Sequence, residues 1–150
     1  MRKSKGFGFI ELMVVLVVLA LLVSVAVPAY DNFVARGKVA KAIGDIGTLQ
    51  LEIDQFDLKN RRLPASLDEL GIELPLDPWG QSYAYLNIEN AAPGFGGMRK
   101  DGKLNPLKTD FDLYSIGRDG DSTGPLSATA SREDIVRANN GAFIGLGENY

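Results

Sequence analysis

The stretch FGFIELMVVLVVLALLVSVAVPAY, Phe7–Tyr30, is apolar throughout except for one charge, Glu11. A helix rises about 1.5 Å per residue, so roughly 20 apolar residues cross a hydrocarbon layer of about 30 Å. The stretch therefore predicts a membrane-spanning helix. Arg2, Lys3 and Lys5 precede it with no acid among them, which predicts a cytoplasmic N-terminus and a C-terminal bulk on the far side. A carboxylate among lipid tails costs a few kcal/mol unless it faces a partner or a cavity. The next base after Glu11 is Arg36, beyond helical reach. The partner has to come from a chain terminus or from another subunit.

Two plainer readings compete. A cleaved secretory signal would have this basic start and apolar middle, with Val27-Pro28-Ala29 as a small-residue cleavage site. Glu11, at the start of the apolar region, argues against it. A simple membrane anchor would leave Glu11 without a role. Pro28 either ends the helix or kinks one that continues, because proline removes a backbone donor and crowds the preceding turn.

Working outward, the 150 residues suggest one domain beyond this segment. The 16 bases and 19 acids give a net charge of −3, and setting aside Arg2, Lys3 and Lys5 leaves −6. An acidic balance points away from nucleic acid. There is no Cys and no His. Cysteine nucleophiles, disulfides, Ser-His-Asp triads and His/Cys zinc sites are excluded. An enzyme would need a carboxylate pair or a Ser-Lys arrangement, and no spacing singles one out. For metals only oxygen donors remain, which suits calcium or magnesium.

From Asp31 to Lys59 the helical pattern continues. Val39, Ala42, Ile43, Ile46, Leu49, Ile53 and Phe56 recur at spacings of three and four and form one apolar stripe. Gly37, Gly44 and Gly47 each weaken a helix by up to about 1 kcal/mol. They admit close approach of a sheet or a neighbouring subunit, or are simply tolerated. An unbroken helix from Phe7 to Lys59 would run about 80 Å. Asn60-Arg61-Arg62-Leu63-Pro64 ends it. Ser66-Leu67-Asp68-Glu69 reads as a capping box opening a short helical turn, with Gly71 as its stop. Leu74–Gly80 is a turn-rich connector, and Trp79 within it reads as a core plug. Gln81–Ile88 reads as a strand, Ala91–Gly102 as a glycine-rich loop, and a second strand starts near Lys103. The clearest strand is Asp110–Ile116, with Phe111 and Leu113 on one face. These elements predict an α+β head, a small antiparallel sheet on the amphipathic helix.

Gly6-Phe7-Gly8-Phe9-Ile10-Glu11 followed by the apolar run resembles the N-terminus of type IV pilins and type II secretion pseudopilins. Leu63-Pro64, Leu67 with Leu70, Asp77-Pro78-Trp79-Gly80 with Tyr83 and Tyr85, and Asp112–Gly120 look more narrowly like the major pseudopilins of type II secretion. The resemblance implies a leader of residues 1–6 and a filament-core helix of 7–30. Residues 31–150 would be the periplasmic pilin-like domain. A prepilin peptidase would cut after Gly6 and methylate the new N-terminus at Phe7. Glu11 would pair with the Phe7 amine of a neighbouring subunit. The expected partners are further copies of the chain, minor pseudopilins and the inner-membrane secretion platform. The alternative is a type IV pilin for adhesion, motility or DNA uptake. Many such pilins staple a C-terminal loop with two cysteines, which this chain lacks.

Asp119-Gly120-Asp121-Ser122 follows the clearest strand, and Glu133-Asp134 lies further on. Carboxylates on a glycine-rich loop suit calcium, though the spacing is not that of an EF-hand. A solvated Asp-Gly turn would give the same sequence. The resemblance implies a calcium ion here, held by the Ile116 carbonyl, Asp119 and Asp134, with Asp121 as a further ligand. Here the sequence departs from the family pattern. Thr123–Asn139 is longer, Arg132-Glu133-Asp134 reads as the opening of a short helix that Ser131 would cap, and Gly141–Gly145 replaces the usual ending.

Overall fold

A computed structural model describes residues 8–88 and 110–150. The leader, Phe7, the Ala91–Gly102 loop and the strand expected near Lys103 lie outside the described residues. The chain divides into two units, Met1–Gly37 and Lys38–Tyr150.

Helix α1 spans Phe9–Asn60, 52 residues, and enters both units. Pro28 lies inside it rather than at its end. In the first unit the large apolar side chains from Phe9 to Val34 are all exposed. By length and composition this half can cross a membrane.

In the second unit the sequence stripe becomes the core. Ala42, Ile46, Leu49 and Ile53 are buried along one side of α1, with Val39 and Ile43 beside them. They meet the inner face of an antiparallel sheet of β1 (Ala84–Asn87), β2 (Phe111–Ser115), β3 (Ile135–Ala138) and β4 (Phe143–Leu146), in that order. Phe111, Leu113, Ile135, Ile144 and Leu146 belong to this cluster, and Trp79 packs against it as the expected plug. Each fully buried Leu or Ile contributes about 1.5–3 kcal/mol, which is what holds the helix to the sheet. On the other sheet face Val136 and Leu126 form a smaller cluster with Tyr114 and Phe143. The expected α+β layout is present.

The strand read at Gln81–Ile88 is shorter, Ala84–Asn87, with a single bridge from Leu76 to Ser82 ahead of it. Its tyrosines anchor the helix and the turn after it. Tyr83 donates to Asp45 Oδ2 at 2.8 Å, and Tyr85 donates to the Pro64 carbonyl at 2.8 Å. Burial and the Asp45 carboxylate together push the Tyr83 phenol well above its usual range.

The turn Leu67–Leu70 forms and ends at Gly71, whose φ of 68° suits glycine. The capping box read at Ser66–Glu69 does not form. Ser66 makes no side-chain cap, while Glu69 Oε2 accepts from the Ala65 N–H at 3.0 Å and from Arg62 at 2.8 Å.

The helix expected at Arg132-Glu133-Asp134 is absent. Thr129–Ser131 makes a single 3-10 turn, and residues 132–134 lead into β3. The physical reason is the Ser131 hydroxyl. It donates to the Thr123 carbonyl at 2.7 Å and accepts the Thr123 N–H at 3.1 Å. Committed to Thr123, it does not cap, and the Asp134 N–H instead reaches the Ser131 carbonyl at 3.4 Å.

Candidate functional site

Two regions carry the candidate residues. At the N-terminal end, Gly6 and Phe7 lie outside the described residues. Glu11 stands in the first turn of α1, where an acid complements the helix dipole. Its Oε2 accepts the Gly8 N–H at 2.8 Å. The carboxylate thus caps one of the donors that a helix start leaves open.

The second region follows β2. Ile116 leaves the strand and residues 117–120 form a turn. Gly117 has φ 73°, and a Cβ built there would lie 2.3 Å from the Glu133 carbonyl. Only glycine lets these two backbones touch, and the contact lays Glu133-Asp134 against the turn. Asp119 and Asp121 are exposed, and Asp119 Oδ1 accepts the Asp121 N–H at 3.4 Å. Asp121 Oδ1 accepts the Ser122 N–H at 2.9 Å. Asp134 is fully buried, and its Oδ2 accepts the Ser122 hydroxyl at 3.0 Å.

The chain therefore brings Asp134 to the turn through Gly117 and Ser122. Among the described residues, no group of three or more His, Cys, Asp and Glu side chains converges closely enough to hold a metal. The donor chemistry fits a hard cation, since carboxylates and carbonyls are what calcium takes. Ile116, Asp119, Asp121 and Asp134 are the residues that could supply it.

Sequence reading placed a turn at Asp77 but missed what its carboxylate does. Asp77 is buried. Its Oδ1 accepts the Trp79 and Gln81 N–H groups at 3.0 and 2.8 Å, closing the Pro-Trp-Gly turn. Its Oδ2 accepts the hydroxyl of the buried Ser115 at 2.6 Å, and the Ser115 Oγ in turn accepts the Gly117 N–H at 3.1 Å. A Cβ at Gly120 would lie 3.3 Å from Gln81 Nε2. The connector turn thus buttresses the acidic turn at two points. The available signal was the Asp-Pro-x-Gly turn, in which an aspartate bonds to backbone N–H groups a few residues on.

Residues 1–27 match the family model described as the prokaryotic N-terminal methylation motif. The type II secretion system core protein G of Pseudomonas aeruginosa is 32% identical over 146 residues, covering 82% of this chain and 89% of that protein. The chain belongs to the type II secretion core protein G family. The core protein G of Vibrio cholerae is 30% identical over 146 residues, covering 83% of this chain and 87% of that protein. Type IV major fimbrial protein FimA of Dichelobacter nodosus is 26% identical over 120 residues, covering 80% of this chain and 75% of that protein. That weaker match favours the pseudopilin over the pilin. No solved structure matches the chain.

Proposed function

We propose that this chain is the major pseudopilin subunit of a secretion filament. The observation that carries the reading is the methylation motif over residues 1–27 on a chain otherwise related to core protein G. A prepilin peptidase cuts after Gly6 and methylates Phe7. The helix stays in the inner membrane with its globular part in the periplasm. Copies then pack through their apolar halves, and the filament pushes folded periplasmic proteins across the outer membrane. Minor pseudopilins and the inner-membrane platform are the further partners. The subunit acts by assembly and not by catalysis.

The physical driver is Glu11. Among the described residues, the acid accepts a hydrogen bond at its own helix start, from the Gly8 N–H. The Phe7 amine of a neighbour offers a full positive charge, and pairing two charges in a medium of low dielectric relieves part of their desolvation.

A calcium ion in the acidic turn is the second part of the reading. Ile116, Asp119, Asp121 and Asp134 would hold it, and its chemistry there is to neutralise the acids and pin the turn to the strand that follows. The all-oxygen donor set and the Gly117–Glu133 contact support it.

Co-expressing the unaltered chain with its secretion platform tests the function. Filaments containing this chain, together with restored export in a strain lacking it, are expected. Export unchanged by loss of the chain would contradict the reading.

A further inference from the structure

The turn that carries Asp119 and Asp121 is tied to the connector turn by a buried chain of hydrogen bonds. Ser115 ends β2 and is fully buried. Its hydroxyl donates to Asp77 Oδ2 at 2.6 Å, and its Oγ accepts the Gly117 N–H at 3.1 Å. A serine hydroxyl has one proton to donate and two lone pairs to accept with. The buried Asp77 carboxylate takes the proton in a short, charge-assisted bond. What Ser115 presents to Gly117 is therefore an acceptor.

Asp77 does not need this contact to close its own turn. Its Oδ1 accepts the Trp79 and Gln81 N–H groups, its N–H donates to the Gln81 carbonyl at 2.8 Å, and its carbonyl accepts the Gly80 N–H at 3.0 Å. Those four bonds hold residues 77–81 without Oδ2. The second carboxylate oxygen reaches instead to a residue 38 positions away. Gln81, held by Asp77, also lies against the far end of the acidic turn, where a Cβ at Gly120 would sit 3.3 Å from its Nε2.

This chain of bonds fixes a peptide plane. The Ile116 carbonyl and the Gly117 N–H belong to one planar trans peptide group and point in opposite directions. Holding the N–H on Ser115 therefore sets the direction of the Ile116 carbonyl. Gly117 cannot swing away on its other side, because its α-carbon abuts the Glu133 carbonyl. We propose that Asp77 and Ser115 are positioning residues for a divalent cation in the acidic turn, acting through the Ile116–Gly117 peptide. A carbonyl fixed beforehand loses little freedom when a ligand binds, which favours binding. The inference rests on the calcium reading above and adds to it two residues that act on the ion only through Ile116.

The test measures calcium affinity by isothermal titration calorimetry on the full-length, detergent-solubilised chain, with calcium chloride as the probe. Ser115→Ala removes the acceptor of the Gly117 N–H. Asp77→Asn keeps an oxygen for Trp79 and Gln81 and removes the charge that takes the Ser115 proton. Each should raise the calcium Kd about tenfold, the usual order of loss when a residue supporting a metal ligand is removed. Asp110→Asn is the control. It weakens the fold at the opposite end of β2, and the Kd of a folded protein does not follow its stability, so calcium should bind this variant as it binds the unaltered chain. Circular dichroism confines the comparison to folded variants. An unchanged Kd in both Ser115→Ala and Asp77→Asn would overturn the positioning role alone, as would an equal rise in Asp110→Asn. Absence of calcium binding by the unaltered chain would overturn the calcium reading and this inference with it.

Discussion

Arg137 and Asp110 form a two-pronged ion pair, with Nη1 to Oδ1 at 3.0 Å and Nη2 to Oδ2 at 2.7 Å. The Arg137 side chain is 2% exposed and that of Asp110 is 30% exposed. The same guanidinium donates through Nε to Gln50 of α1 at 2.9 Å and lies 4.0 Å above the Phe111 ring. One side chain of β3 thereby ties together the helix and the start of β2.

Asp110→Asn leaves a buried guanidinium without its counter-charge. Removing one partner of a buried pair costs about 3–5 kcal/mol, and the partial exposure of Asp110 reduces this to about 2–4 kcal/mol. The unfolding free energy from urea titration should fall by that amount, through a lower midpoint with the slope unchanged.

The same pair sets an acid limit. Burial pushes the Asp110 carboxyl up, but hydrogen bonds from Arg137 and from the Phe111 N–H, with the Arg137 charge, outweigh it and hold the group below the usual carboxylate range. A depressed pKa gives stability that is present above the unfolded value of about 3.9 and is lost as pH falls through the folded value. Asp54 acts oppositely, since burial raises it. Its contribution favours the fold at low pH and fades as pH rises past the unfolded value. Thermal unfolding should show stability falling below about pH 4, and Asp110→Asn should flatten that fall.

Asp77→Ala removes the acceptor for the Trp79 and Gln81 N–H groups and for Ser115. The expected loss is about 2–3 kcal/mol, against about 1 kcal/mol for Ser115→Ala. Because the two side chains share a bond, the double variant should lose less than the two losses added together. Full additivity in denaturant titration would mean that the 2.6 Å bond contributes nothing.

How much of this was legible beforehand varies with distance along the chain. The helix stripe was, because Ala42, Ile46, Leu49 and Ile53 repeat locally and every one is buried. So was β2, whose Phe111 and Leu113 share one face of the pleat with Asp112 between them. β3 and β4 were not. Each is four residues long, too short to show a period, and β4 contains Gly145. What fixes β3 is the bond from Arg137 to an aspartate 27 residues earlier, which no local pattern records. The helix expected after Ser131 failed for a similar reason, as its hydroxyl is taken by Thr123, eight residues away. Of the acidic turn, the sequence showed the residue types. The Gly117 contact that brings Asp134 to them came only from the fold.

Glu11→Ala should leave cleavage and membrane insertion intact and reduce filament yield about tenfold, the equivalent of about 1.4 kcal/mol of pairing. The amount of mature subunit in membranes, measured beside filament yield, separates the two steps. Normal yield would rule out the Glu11–amine pairing.

Asp119→Ala should lower the melting temperature of the detergent-solubilised chain in calcium and leave it unchanged in chelator. A ligand lost from a bound cation removes stabilisation only when that cation is present. Equal losses in both conditions would make Asp119 a turn former without a cation.

The central claim is that the chain is processed as a prepilin, and the intact mass of the protein extracted from its own membranes tests it most directly. A mass corresponding to a chain that begins at Phe7 and carries one added methyl group is predicted. Gly6→Val should abolish that species. A mass beginning near Tyr30 would identify an ordinary cleaved secretory signal. It would contradict both the processing at Gly6 and Phe7 and the assembly through Glu11.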